Sequence, residues 1–168
     1  MHLEKSSAKR WTTTDTAKMA VVTGLYVAVT IVLSVVSFGA IQFRLSEMFN
    51  YLPLFNKRYT IAVTLGVAIA NLASPLGIVD VALGSISTLI VLLICRAVTK
   101  NIVSIKKRMI ITALIFAFSM FTVAGQLSFF YQAPFFFNWL IIGVGELLSM
   151  ALGGGLIYLI NQRIDLTK

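Results

Sequence analysis

The chain has 168 residues, of which 58% are hydrophobic and 12% are charged. A soluble domain carries about 25% charged residues, so this composition leaves too few polar side chains to cover a soluble globule. A disordered chain is excluded as well, because it would need few apolar residues and many charged ones. The sequence therefore predicts an integral membrane protein, and its length allows a single domain, residues 1–168.

The net charge of +8 has two interpretations. In a soluble protein it would suggest nucleic acid, whereas in a membrane protein basic residues collect in cytoplasmic loops. The apolar composition favours the second interpretation, so we expect contact with membrane lipid and no nucleic-acid partner. The single cysteine, Cys95, allows neither an internal disulfide nor a cysteine metal cluster.

Three long stretches almost without charge contain the predicted membrane spans. Residues 19–43 include no charged side chain. Residues 59–95 include only Asp80, and residues 109–162 include only Glu146. One span needs about 20 residues, so each of the last two stretches is long enough for two spans.

Proline and glycine divide those two longer stretches into helices. Turns are predicted at residues 74–77 and 132–134, with Pro134 well placed at a helix start. A short, partly apolar segment beginning at Arg44 adds a sixth helix. The predicted helices are roughly 17–37, 44–55, 59–72, 78–98, 109–130 and 134–161. The second is too short to span a membrane alone and the third is marginal, so either is expected to be tilted or incomplete at one side.

The distribution of basic residues predicts the orientation. With six helices and both termini in the cytoplasm, every Lys and Arg falls on the cytoplasmic side except Arg44. Such an excess on one side is the usual signature of cytoplasmic loops. The sequence therefore predicts an all-α, polytopic bundle of six transmembrane helices in the cell membrane, with residues 1–16 as a cytoplasmic N-terminal tail.

Polar side chains inside the apolar helices indicate a binding pocket. Ionisable groups within a membrane are costly, so they usually face a cavity or a partner. The predicted topology places most of them toward the outer side, with Glu146 near the middle of the membrane. The candidate binding residues are Gln42, Phe43, Arg44, Glu47, Tyr51, Asn71, Asp80, Gln126, Asn138, Trp139 and Glu146. Since acids outnumber the single base, the pocket should favour a cationic or donor-rich ligand.

Several of these residues also have a purely structural interpretation. Arg44 and Glu47 are three residues apart and can pair along a helix. Asp80 is placed to cap the fourth helix. The aromatic run at residues 129–137 is typical of an interfacial belt as well as of a roof over a pocket. Convergence of three acids and several amides on one side of one bundle favours the pocket.

Small residues recur along the first predicted helix, at Ala20, Gly24 and Ala28. A spacing of four lets the backbone of another helix approach closely. That helix belongs either to this bundle or to a partner protein.

Motifs of enzymes and ATPases are absent from the sequence. It contains no Gly-x-x-x-x-Gly-Lys-Ser/Thr phosphate loop, and His2 is its single histidine. Neither a Ser/His/Asp set nor a histidine metal site can therefore be built. We expect no enzymatic activity and no metal site.

Three motifs, residues 38–47, residues 66–71 followed by 74–80, and residues 143–147, resemble signature stretches of the QueT family. Members of that family are substrate-binding S components of energy-coupling factor (ECF) transporters. The resemblance runs from about residue 17 to residue 162. The stripe of Ala20, Gly24 and Ala28 is similar to the Ala-x-x-x-Ala pattern with which S components meet the scaffold subunit, although Gly24 departs from it.

The resemblance implies a six-helix bundle that binds queuosine precursors from outside the cell. These are deazaguanine bases such as queuine or its aminomethyl and cyano precursors. It also implies partners, namely an ECF module made of a transmembrane scaffold subunit and two ATPase subunits. ATP would be used by those partners, so the chain itself would need no cofactor.

The chemistry of a deazaguanine fits the candidate residues. Its amide N–H and exocyclic amine lie side by side, and one carboxylate can accept both. A second carboxylate would hold the cation of an aminomethyl arm. Amides at Asn71, Gln42 or Gln126 would bond the ring carbonyl and nitrogens, and Phe43, Tyr51 or Trp139 would stack on the ring. The sequence does not say which acid does which.

Two other functions stay open. One is a stand-alone secondary transporter for a small cationic or nucleobase-like solute, coupled to a proton or sodium ion through Asp80 or Glu146. Many such folds contain internal repeats, and none is evident between residues 17–98 and 109–162. The other is a membrane interaction protein whose polar cluster only holds helices together.

Overall fold

The computed structural model describes residues 12–37 and 43–167, which form helices joined by short turns. The α-helices are α1 (Thr13–Val32), α2 (Ser34–Ser37), α3 (Tyr59–Ala70), α4 (Ile78–Thr99), α5 (Ile105–Ser119), α6 (Phe121–Tyr131) and α7 (Phe135–Arg163). Two 3₁₀ helices, η1 (Leu45–Leu54) and η2 (Asn71–Ala73), complete the described part. The all-α prediction is confirmed, and α1–α2, α3–η2 and α5–α6 each correspond to one predicted helix.

Four segments of the described chain are long and apolar enough to cross a membrane: Thr13–Val32, Ile78–Thr99, Ile105–Tyr131 and Phe135–Arg163. The other two predicted helices are shorter. A 3₁₀ helix rises about 2.0 Å per residue, so η1 reaches only about 20 Å of a hydrocarbon core about 30 Å thick. Length and hydropathy thus give four candidate spans, where the sequence predicted six.

The outer surface of the bundle is apolar. Large side chains such as Val35 (88% exposed), Phe136 (78%) and Leu140 (68%) point away from the interior. A soluble monomer rarely exposes apolar surface on this scale. The surface therefore indicates that hydrocarbon, and not water, surrounds the helices.

The first helix begins earlier than predicted because of a capping box. The Thr12 hydroxyl accepts the Asp15 N–H at 3.1 Å, and the Asp15 carboxylate accepts the Thr12 N–H at 3.0 Å. This reciprocal pair satisfies two N–H groups that a helix start leaves without partners. Helix α1 consequently starts at Thr13, within the segment that the sequence predicted to be an N-terminal tail.

Both predicted turns are confirmed. Gly77 has φ +53° between η2 and α4, a conformation that favours glycine. Gln132 has φ +54° and ends α6 in the left-handed conformation. Pro134 follows directly and is the N-cap of α7.

The 3₁₀ helix η1 runs through the interior of the bundle. It packs against α7, α1, α3 and α4, and most of its residues are buried. Ten residues is unusually long for a 3₁₀ helix. Its last carbonyls accept hydrogen bonds from two other helices. Arg96 of α4 donates to the Pro53 carbonyl, and Arg108 of α5 donates to the Leu54 carbonyl. These bonds satisfy acceptors that a helix end leaves open.

Chain segments that the sequence assigned to the cytoplasmic side meet at one end of the bundle. Arg58 forms an ion pair with Asp15 at the start of α1. The Asn56 side-chain amide donates to the Thr167 carbonyl at 3.2 Å. The arginines that hold the end of η1 lie at this end too. The arrangement agrees with a topology in which these segments share one side.

Glycines on α7 allow its backbone to lie directly against η1. A Cβ added at Gly153 would collide with Met48, lying 2.9 Å from its Cα. A Cβ at Gly154 would lie 3.1 Å from the Tyr51 ring. The Tyr51 hydroxyl donates to the Met150 carbonyl at 3.0 Å and ties the two helices together.

We expect Gly153→Ala to destabilise the protein. The added methyl must displace the backbone of η1 at Met48, and overpacking of this kind costs about 1–3 kcal/mol. Thermal unfolding of the purified protein in detergent would measure the loss.

Gly155→Ala is the matched control for this prediction. Gly155 is exposed, and a Cβ there meets nothing within 4 Å. Replacing a helical glycine by alanine in open space should be neutral or slightly stabilising. Equal melting temperatures for the two variants would contradict the close packing of α7 on η1.

Candidate functional site

A cavity lies between the start of η1, the end of α3, the first half of α4, the α5–α6 junction and the middle of α7. It is at the opposite end of these elements from the arginines that hold η1. The space between its atoms, including open solvent at the mouth, is about 560 Å³. It is lined by Arg44, Glu47, Val67, Asn71, Asp80, Gly84, Ser87, Thr88, Val91, Phe116, Ser119, Met120, Thr122, Val123 and Glu146.

Three acids from three different elements line this one cavity. Glu47 comes from η1, Asp80 from α4 and Glu146 from α7, and each is at most 7% exposed. Among the described residues, Arg44 is the one basic residue in the lining. With the side chains ionised, the lining carries two more negative charges than positive ones, which favours a cation or a ligand rich in hydrogen-bond donors.

The carboxylate of Glu47 is oriented by two protein donors. The Tyr26 hydroxyl of α1 donates to Oε1 at 2.8 Å, and the Asn50 side-chain amide donates to Oε2. Carboxylate oxygens accept more than one hydrogen bond each. Glu47 therefore presents a fixed carboxylate that retains capacity to accept from a ligand.

Arg44 is anchored by hydrogen bonds to three other segments of the chain. Its Nε donates to the Ser37 carbonyl at 3.1 Å, and its Nη1 donates to Asn71 Oδ1 at 3.3 Å. Its backbone N–H donates to the Ser149 hydroxyl of α7 at 3.0 Å. These bonds hold the guanidinium beside the acids.

Asp80 is oriented by the turn that precedes α4. Ser74 Oγ donates to Asp80 Oδ2 at 2.5 Å, and Asn71 Nδ2 donates to the Asp80 carbonyl at 3.0 Å. The alternative in which Asp80 caps α4 is wrong, because the N-cap is Gly77 and has no side-chain capping bond. The Asp80 carboxylate belongs to the cavity instead.

Gly84, one turn after Asp80, makes room for Asn71. A Cβ at position 84 would lie 2.5 Å from Asn71 Nδ2. The absence of a side chain at Gly84 is what lets the Asn71 amide bridge Arg44 and the Asp80 backbone.

Glu146 differs from the other two acids. Its Oε1 is buried and accepts no hydrogen bond from any residue in the described ranges. It lines the same cavity as Glu47 and Arg44. Buried polar atoms in proteins are nearly always hydrogen-bonded, so this oxygen marks the point where a bound molecule would supply a donor.

The junction of α5 and α6 contributes an irregular wall to the cavity. Ser119 Oγ donates to the Phe116 carbonyl at 2.7 Å, and Thr122 Oγ1 donates to the Ser119 carbonyl at 2.9 Å. Irregular backbone at membrane depth is tolerated where it lines a cavity or is buried in protein. Its own hydroxyls satisfy part of the backbone that this interruption frees.

Five of the eleven predicted binding residues line the cavity: Arg44, Glu47, Asn71, Asp80 and Glu146. Gln42 lies outside the described residues. Gln126 is buried on α6, one turn beyond the lining residue Val123, and its Oε1 has no hydrogen-bond partner in the described ranges.

The remaining four are not among the lining residues. Phe43 lies just before η1 and is half-buried. Tyr51 packs against Gly154 and lines a separate groove between α5 and α7. Asn138 donates to the Pro134 carbonyl at 2.7 Å in the first turn of α7. Trp139 donates to the Phe118 carbonyl at 3.0 Å and braces the α5–α6 junction. Phe116, which the sequence did not single out, is the aromatic residue in the lining.

The eleven predicted binding residues do not include the residues that orient the acids, namely Tyr26, Asn50 and Ser74. Each of them acts on the site only through contact with a carboxylate, which the sequence does not show. A signal was present on α4, where Asp80, Gly84 and residues 87–88 recur at helical spacing and mark one polar face.

The stripe of Ala20, Gly24 and Ala28 is exposed and lines an apolar groove between α1 and α3. A Cβ at Gly24 would meet nothing within 4 Å. Packing within the described part of the chain therefore does not account for the small residues.

Comparison with known proteins identifies the family. The model of the family described as QueT transporter matches residues 16–162. The protein named queuosine precursor transporter QueT, from Lactococcus lactis subsp. cremoris (strain MG1363), is 38% identical over 169 residues, covering 95% of this chain and 99% of that relative. No solved structure matches the chain. Both descriptions are of transporters and not of enzymes, as the sequence predicted. Since the family model spans nearly the whole chain, the chain belongs to the QueT transporter family.

Proposed function

We propose that the chain is the substrate-binding S component of an ECF-type transporter that takes up queuosine precursors across the cell membrane. The observation that carries this proposal is the buried set of three carboxylates and one guanidinium around a single cavity. The name of the Lactococcus relative supports the class of substrate.

A deazaguanine base complements this lining. Its amide N–H and exocyclic amine form a pair of parallel donors, which one carboxylate accepts through both oxygens. Its ring carbonyl is an acceptor for a guanidinium or an amide, and Arg44 and Asn71 supply those donors. The flat ring has apolar faces, and Val67, Val91 and Phe116 provide apolar walls.

Uptake on this proposal is powered by partner subunits. The exposed groove of Ala20, Gly24 and Ala28 lets another helix approach α1 closely, which suits the scaffold subunit of an ECF module. Two ATPase subunits bind and hydrolyse ATP, and this chain needs no cofactor. The basic end of the bundle faces the cytoplasm, and the cavity opens to the outside.

Equilibrium binding to the purified protein tests the substrate. We expect a deazaguanine base to bind, and Glu47→Ala and Glu146→Ala each to weaken it by about 30-fold or more, because removing one partner of a buried charged bond costs about 2–5 kcal/mol. Asp165→Asn, at an exposed site near the C-terminus, is the control and should bind normally. Unchanged affinity in both glutamate variants would exclude this cavity.

Gly84→Ala should weaken binding without removing any polar group. The new methyl displaces Asn71 and disturbs its bond to Arg44, so we expect a loss of about tenfold or more. Gly125→Ala, where the nearest side-chain contact is an ordinary 3.9 Å to Phe135, is the matched control. Calorimetric titration of both variants with the same deazaguanine base measures the two affinities. Equal affinities would show that Asn71 does not contribute to ligand binding.

Gly24→Leu should impair docking to the scaffold subunit without impairing ligand binding. Position 24 has open space around it, so the variant should fold and bind ligand, while the larger side chain blocks a close helix contact. Loss of the scaffold and ATPases on co-purification, with ligand affinity retained, is the expected result. Ala151→Leu, also exposed but on α7, should co-purify normally. Normal co-purification of Gly24→Leu would place the interface elsewhere.

Transport in liposomes distinguishes the proposal from a stand-alone ion-coupled carrier. We expect no accumulation of a deazaguanine by the chain alone under a proton or sodium gradient. Accumulation should require the ECF module and ATP. Gradient-driven uptake by the chain alone would favour the carrier.

A further inference from the structure

We infer, on the basis of the proposed function, that Glu146 binds the ammonium group of an aminomethyl arm. The cavity would therefore select deazaguanine precursors with a protonated amine over neutral ones such as the nitrile. The sequence left the roles of the three acids open, and the hydrogen bonds around them distinguish these roles.

Reading the edge of a base requires a carboxylate whose orientation is fixed, since both of its oxygens must meet two parallel donors. Glu47 meets this requirement because Tyr26 and Asn50 each hold one of its oxygens. Asp80 is oriented as well, since Ser74 holds its Oδ2 at 2.5 Å. These two acids are suited to the ring edge.

An ammonium group places a different demand on its partner. It is a compact charge with three rotatable donors, so it needs a nearby negative oxygen and little orientation. Glu146 is 3% exposed, lines the cavity and has a buried oxygen without any hydrogen-bond donor in the described ranges. A second carboxylate, Glu47, lines the same cavity. A cation at this point supplies the missing donor and offsets the repulsion between the two acids.

The balance of charges over the whole cavity lining also favours a ligand with one positive charge. Arg44 offsets one of the three carboxylates and donates to Asn71 and the Ser37 carbonyl. A neutral base leaves the remaining acids in a buried site without a positive partner, which is costly for those that are ionised. A precursor with one positive charge reduces that cost.

The test compares 7-aminomethyl-7-deazaguanine with 7-cyano-7-deazaguanine as ligands for the purified full chain. We expect the wild type to prefer the aminomethyl base by about 30-fold or more. Glu146→Gln should remove most of that preference, because it should weaken the aminomethyl base far more than the cyano base. Glu47→Gln should weaken both bases to a similar degree and so preserve the preference.

The outcomes separate this inference from the proposed function. If neither base binds the wild type, and queuine does not bind either, the proposed function fails. If both bind equally well, charge selection is wrong although the substrate class stands. If Glu146→Gln weakens both bases equally, Glu146 reads the ring and not the arm, and the inference is overturned. Normal melting of each variant in detergent shows that lost affinity is not lost folding.

Discussion

The close approach of α7 to the 3₁₀ helix η1 is the constraint on which the site depends. Gly153 lies against the backbone of Met48, and no side chain can be accommodated between them. Glu146 precedes Gly153 by two helical turns and so lies on the same face of α7. The face of α7 that packs against η1 therefore also carries Glu146 to the cavity. Glu47 reaches the same cavity from the start of η1.

The two ends of η1 meet different chemical demands. At the cavity end it presents Glu47, and Asn50 one turn later fixes that carboxylate. At the other end its carbonyls would be unsatisfied in an apolar interior, and Arg96 and Arg108 supply donors. A helix too short to span the membrane is thus stable inside the bundle because neighbouring helices complete its hydrogen bonds.

Burying three carboxylates costs free energy, because each loses its hydration. The protein offsets this cost for two of the three acids more fully than for the third. Glu47 and Asp80 accept hydrogen bonds from the protein, and Arg44 supplies one positive charge. Glu146 retains an oxygen without a partner in the described residues. Under the proposed function, a donor on the substrate completes the hydrogen bonding of this site.

The sequence by itself determined the membrane class, the six helical segments and the gathering of the acids at one end, because hydropathy, turn residues and charge are local properties of the chain. It did not determine the length of each span, since α1 starts at a capping box and η1 adopts a 3₁₀ form inside the core. Nor did it place Tyr51 and Trp139, whose polar atoms bond backbone carbonyls away from the cavity. Which carboxylate oxygens accept hydrogen bonds from the protein was decided by tertiary contacts such as Tyr26 to Glu47, 21 residues apart. The backbone of Arg44 is likewise fixed by Ser149, 105 residues away. Partners so distant in sequence leave no local pattern, because hydrogen bonding depends on where folding brings each donor.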